Sequence, residues 1–215
     1  ANDENTENQS MFSDEATATV TLSTHQDKAD RMLDTGIAKY PKFSLLYRNK
    51  ASLYNITGLN NEIALENILK AKEICEEPSL YYTEGMIRQD LNMHKEAIEL
   101  FKKCLEHEPD DAHTYYNIGQ SYENLSETEK AMEYYAKTIQ LKADHSGAYL
   151  ARARLHAIDG KVDLALADYK KALEVDEDNA EILFERAIMY RDVVKDHKLA
   201  LADFEAALEM DPDNK

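Results

Sequence analysis

The stretch AHTYYNIGQSYENLSETEKAMEYYAKTIQLKADH, residues 112–145, decides the fold. Its first half sets Tyr115, Ile118, Gly119 and Tyr122 at offsets of three and four; its second half does the same with Ala131, Tyr135 and Thr138. Such offsets collect residues on one face of a helix. The stretch therefore reads as two short helices with facing apolar stripes. A unit this small cannot bury its stripe alone, so it has to stack on copies of itself.

Copies are present in both directions. Tyr47, Tyr81, Tyr115, Tyr149 and Leu183 are spaced by 34 each time. Ala29, Ala64, Ala97, Ala131, Ala165 and Ala200 follow at spacings of 35, 33, 34, 34 and 35. Four residues after each Ala stands a large apolar residue: Leu33, Ile68, Phe101, Tyr135, Tyr169, Phe204. Three further on stands a mostly small one: Gly36, Ala71, Cys104, Thr138, Ala172, Ala207. Small residues let two helices approach, and the large one fills the gap to the next repeat. The spacing predicts an all-α solenoid of about five helix-turn-helix repeats, at 44–77, 78–111, 112–145, 146–179 and 180–213.

The pattern resembles the tetratricopeptide repeat (TPR) family, whose signature is an aromatic, a Leu-Gly pair and a Tyr on one helix, then an Ala, aromatic and Pro series on the next. Residues 112–145 match best, through Tyr115, Ile118, Gly119, Tyr122, Ala131 and Tyr135, departing at Ala143 where Pro is usual. Residues 78–111 carry Tyr81, Gly85, Ala97, Phe101 and Pro109, but Glu84 and Arg88 stand where apolar residues are usual. Residues 146–179 carry Tyr149, Ala153, Ala165, Tyr169 and Ala172. Residues 180–213 carry Leu183, Ala187, Tyr190, Ala200, Phe204, Ala207 and Pro212, with one extra residue between the helices. Residues 44–77 fit more loosely.

The ends differ. Residues 1–22 are polar and Asn-rich, and read as a disordered tail. Residues 23–215 read as one solenoid domain. A lone helix over about 24–40, capped by Thr24 or Ser23 and ended by Pro41, carries Ala29, Leu33 and Gly36, like the second helix of a degenerate repeat. The closing DPDNK normally leads into another repeat, so either the natural chain continues or the last helix buries its face in another molecule.

Composition agrees with an all-helical chain and narrows its role. Only 6 Gly and 4 Pro punctuate 215 residues, too few for a β-sandwich or barrel. A net charge of −17 argues against nucleic acid and against an anionic membrane surface. No apolar run is long enough to insert in a membrane. Compartment stays open between cytoplasmic and extracytoplasmic; the chain opens on Ala1, and a removed targeting segment would leave no trace. Cys75 and Cys104 form neither a disulfide framework nor a metal set, and Cys104 is expected to be buried and inert. His25, His94, His107, His113, His145, His156 and His197 are scattered, and most are expected in solvent, with His156 in the core. The sequence has no phosphate loop, HExxH or catalytic pair, so no cofactor, metal or catalytic residue is expected. Asp110, Asp111, Asp176 and Asp178 fall in inter-repeat turns, where Asp caps helices.

The resemblance implies a concave groove lined by positions 5, 9 and 12 of each first helix. Carried onto this chain, these are Arg48, Tyr82, Tyr116, Leu150 and Phe184; Ser52, Met86, Gln120, Arg154 and Ile188; and Asn55, Gln89, Glu123, Ala157 and Arg191. Tyr and Arg dominate binding hot spots. Tyr82, Met86, Tyr116 and Phe184 would take an apolar peptide face, and Arg154 and Arg191 would meet carboxylates. The carboxylate clamp of chaperone-binding TPR domains is not matched: Arg48 and Ser52 replace its first Lys and Asn, Thr83 its second Asn, Tyr116 and Gln120 its basic pair. The function expected is a non-catalytic scaffold for a protein or peptide partner. The alternatives are self-association through the uncapped C-terminal helix, or a regulatory region of a larger protein.

Overall fold

The computed structural model describes residues 25–210, and every regular element in that range is helical. Helix α1 covers residues 25–39. Ten further helices follow among the described residues: α2 (Ser44–Thr57), α3 (Asn61–Ile74), α4 (Pro78–Asp90), α5 (His94–His107), α6 (Ala112–Asn124), α7 (Thr128–Leu141), α8 (Ser146–Ile158), α9 (Val162–Val175), α10 (Ala180–Met189) and α11 (His197–Met210), of which α2 pairs as a hairpin with α3, α6 with α7, α8 with α9 and α10 with α11. The expected tail over 1–22 and the expected caps Ser23 and Thr24 lie outside the described residues. The chain divides into two compact units at Met93/His94.

Helix starts follow local chemistry. Asn60 accepts from the backbone N–H groups of Glu62 and Ile63, Asp111 from those of His113 and Thr114, and Asn179 from that of Ile182. Pro78 occupies the first turn of α4, where a missing N–H is harmless.

The segments that follow each first helix repeat as well. Gly58, Asn92, Ser126, Gly160 and Lys195 all take left-handed φ, between 60° and 70°, at spacings of 34, 34, 34 and 35. Just beyond three of them a 6→1 bond closes the helix end: Met93 to Arg88, Glu127 to Tyr122 and Lys161 to His156. In the last hairpin the extra residue is absorbed by a π-helical turn, Tyr190–Val194, and the closing bond runs from Asp196 to Tyr190, one residue wider.

In the first unit, Ala51, Ala64, Ile68, Ala71, Leu80 and Ile87 form the core, with Tyr47, Tyr54, Leu65 and Leu91 packed against it. In the second unit Leu150, Ala153, Ala165, Tyr169, Ala172, Ile182 and Met189 make one such cluster. The small–large–small series from the sequence is this core. Ala64, Ala97, Ala131 and Ala165 are fully buried, as are Ile68, Phe101 and Tyr135. Each of those large side chains contributes about 2–3 kcal/mol. The series loosens at both ends: Ala29, Leu33, Gly36 and Phe204 are only half-buried.

Position 7 of the repeat breaks the apolar rule. It is Lys50, Glu84, Ile118, Arg152 and Arg186, and each charge is answered. Lys50 pairs with Asp30 and Asp34 of α1. Glu84, 2% exposed, receives Lys72 at 2.6 Å and Arg88 at 2.7 Å. Arg152 forks onto Asp168, and Arg186 onto Asp203.

Candidate functional site

In the second unit, side-chain contacts link the first helices α6, α8 and α10. Tyr116 of α6 stacks on His145, the residue that opens α8, with ring centroids 4.6 Å apart. Arg154 of α8 reaches across to α10, where its Nε donates to both carboxylate oxygens of Glu185 at 2.8 and 2.9 Å and its Nη2 to Glu181 at 2.5 Å. Positions 2, 5, 6 and 9 of α10, namely Glu181, Phe184, Glu185 and Ile188, form one continuous helical face.

Second helices support this face from behind. The Tyr135 hydroxyl of α7 donates to Glu123, and that of Tyr169 in α9 donates to Glu185 at 3.3 Å. Burial, followed by the adjoining carboxylate, pushes both phenols far up, so they remain protonated donors. Gln120 Nε2 donates to the Tyr116 hydroxyl at 3.2 Å. Burial raises the Tyr116 phenol too, opposed by Arg154 and assisted by Glu123 and Glu181.

The groove positions separate into groups. Phe184 is 46% exposed, edge-on to Phe204 at 5.5 Å. Tyr116, Gln120 and Ile188 are half-buried. Leu150 is 6% exposed within the core cluster, so it packs the hairpin and offers a partner little surface. Arg154 is already held by Glu181 and Glu185, so it is not waiting for a partner's carboxylate. Arg191 is exposed, forked onto Asp192 at 2.7 Å and lying 5.8 Å over the Phe204 ring. In the first unit, Arg48 donates to Ser79 at 3.3 Å and Asn55 to Asp90, both running from α2 to α4, while Tyr82 and Met86 are half-buried on α4.

The remaining candidates follow their local chemistry. Asp111 caps α6, as its turn position suggested. His94 is buried rather than solvated, because it opens α5 on the inner side of that helix. His156 is half-buried, 3.9 Å from Asp168. Cys104 is buried with its thiol on the Leu100 carbonyl, and burial pushes it up to about 11; Cys75 is exposed. Among the described residues no group of three or more His, Cys, Asp or Glu could hold a metal, and no helix is long and apolar enough to cross a membrane.

Nothing local in the sequence marks Glu181 and Glu185 as the carboxylates that hold Arg154. Glu181 and Glu185 lie 27 and 31 residues away. The available signal was the period itself, since a contact from one first helix to the next spans just under one repeat.

Comparison with known proteins bears on the fold. The pattern described as "Tetratricopeptide repeat" matches residues 78–111 and 112–145, and that described as "TPR repeat" matches 153–192. No curated protein sequence matches the chain. Among solved structures, PilF of Pseudomonas aeruginosa is similar with a TM-score of 0.73 at 16% identity, over 93% of this chain and 90% of that one. MamA is similar with a TM-score of 0.64 at 25% identity, over 75% and 94%. YrrB, described as a TPR protein with an unusual peptide-binding site, is similar with a TM-score of 0.59 at 23% identity, over 85% and 93%. Helical hairpins, period, buried ladder and these likenesses converge: the chain belongs to the tetratricopeptide repeat family.

Proposed function

We propose that this protein is a non-catalytic scaffold that holds a peptide or protein partner on the first-helix face of its second unit. TPR proteins are in general protein-interaction scaffolds. What supports the specific face is the exposure of Phe184. Leaving half of a large aromatic in water forgoes about 1 kcal/mol or more of burial, and Phe184 stands beside half-buried Ile188 and the Arg154–Glu181–Glu185 network. Apolar anchors rimmed by polar groups are how a helix face takes a partner. YrrB, of like fold, is a peptide binder by its description.

The test is affinity capture from an extract of the source organism, with the parent chain and a folded Tyr116→Ala/Phe184→Ala variant as baits. The proposal expects a protein kept by the parent and lost by the variant. Identical capture by both would move binding off this face.

A second reading, self-association, has its own observation. Leu201 and Leu208 of α11 are 58% and 49% exposed. Their equivalents one repeat earlier, Leu166 and Leu173, are partly buried against the core. Light scattering over a concentration series decides it, since a strict monomer removes that reading.

A further inference from the structure

We propose that the segment taken by the first-helix face of the second unit is cationic, carrying Arg or Lys beside an apolar residue. The inference rests on the docking face proposed above and deepens it. It comes from the balance of charge among the described residues of this face.

Glu123, Glu181 and Glu185 supply three formal negative charges to this face. Among the described residues, the ion pairs to these carboxylates come from Arg154, which is divided between Glu181 and Glu185. Two phenols also donate to these carboxylates, Tyr135 to Glu123 and Tyr169 to Glu185. A phenol satisfies a lone pair without cancelling charge. Arg191, in the π-helical turn that follows α10, is spent on Asp192. The face therefore keeps a surplus of two negative charges around exposed Phe184 and half-buried Tyr116 and Ile188.

Complementarity then selects the occupant. An acidic segment would meet like charges on arrival, which costs both affinity and association rate. A neutral apolar segment would cover Phe184 but leave the carboxylates partly desolvated and uncompensated. A guanidinium or ammonium beside an apolar side chain satisfies both features, and it can also lie over the Tyr116 or Phe184 ring. The rest of the chain acts in the same direction, since a net charge of −17 draws cationic partners in.

The test uses the full chain panned against phage-displayed random dodecapeptides at low salt. The folded Tyr116→Ala/Phe184→Ala variant serves for counter-selection, so that only face-dependent peptides are scored. The proposal expects those peptides to be rich in Arg and Lys next to apolar residues. The best of them, synthesised, should bind Glu181→Gln/Glu185→Gln about tenfold more weakly and lose affinity as salt rises. Arg154→Gln should bind it more tightly, because the competing internal cation is gone. A gain of this kind cannot come from misfolding. Face-dependent peptides that are neutral or acidic, or that ignore the glutamine substitutions, overturn the cationic assignment and leave the docking face standing. Absence of any face-dependent peptide overturns both.

Discussion

Arg152 and Asp168 close a two-pronged ion pair across the α8–α9 hairpin, Nε and Nη2 each 2.7 Å from a carboxylate oxygen. The same fork recurs one repeat later between Arg186 and Asp203, at 2.7 and 2.8 Å. Both carboxylates are buried, so each fork exchanges hydration for a directional contact that fixes how the two helices of a hairpin register.

Removing one partner should hurt more than removing both. Arg152→Ala strands the buried Asp168 charge and should lower stability by about 3 kcal/mol. Arg152→Met with Asp168→Leu should recover most of that loss, since apolar groups of like volume need no hydration. Urea denaturation of the parent, the single and the double variant measures it.

Gly119 lies against Tyr135, which is fully buried; a Cβ built on Gly119 would sit 2.7 and 2.8 Å from two ring carbons. The ring is packed and its hydroxyl is tied to Glu123, so it has no easy retreat. Gly119→Ala should therefore destabilise by about 1–3 kcal/mol, read as a lower urea midpoint.

The left-handed turn residues give a cleaner test, because no packing is involved. Gly160, at φ 70°, has no neighbour within 4 Å of an added Cβ. Gly160→Ala should cost about 1 kcal/mol through backbone strain alone. Lys195, at φ 62°, carries that strain now, and Lys195→Gly should gain about 0.5–1 kcal/mol. Thermal or urea unfolding of the two variants should move in opposite directions.

His145 makes stability sensitive to mild acid. Its Nδ1 accepts from the Ala148 N–H at 3.1 Å, which requires a neutral ring. Burial holds its pKa below the ordinary value, and His113 and Lys142 add to the effect while Asp144 opposes it. Tyr116 covers the ring from α6. The unfolded chain takes up this proton at about pH 6.5 while the native state resists it. The unfolded state thus binds more protons, and stability falls as pH drops below that value towards the folded pKa. His145→Asn keeps an acceptor for the cap and removes the titration. Its urea midpoint should change less than the parent's between about pH 7.5 and pH 5.5.

The fold was legible because the 34-residue period marks the contacts that bury most surface. Ala64, Ala97, Ala131 and Ala165, with Ile68, Phe101 and Tyr135 four residues on, were named from spacing and are the fully buried ladder. Charge pairing was less legible. Glu84 and Arg88 stood out as departures from an apolar pattern, but nothing local says that Lys72 completes their cluster from the preceding hairpin. Arg152 and Arg186, 34 apart, and Asp168 and Asp203, 35 apart, carry the repeat period in charge rather than in volume, and would emerge from aligning the charged positions in register. The positions expected to line a groove come from the repeat register, which carries no information about their surroundings. Leu150 went to the core and Arg154 into internal pairing, because each outcome depends on the neighbouring helix.

The central claim, that the first helices of the second unit carry the partner, is tested most directly by hydrogen-exchange mass spectrometry of the chain alone and with its captured partner. The account predicts new protection concentrated in residues 112–124, 146–158 and 180–189, the first helices α6, α8 and α10. Protection confined to the second helices α7, α9 and α11, with the first helices unchanged, would contradict it.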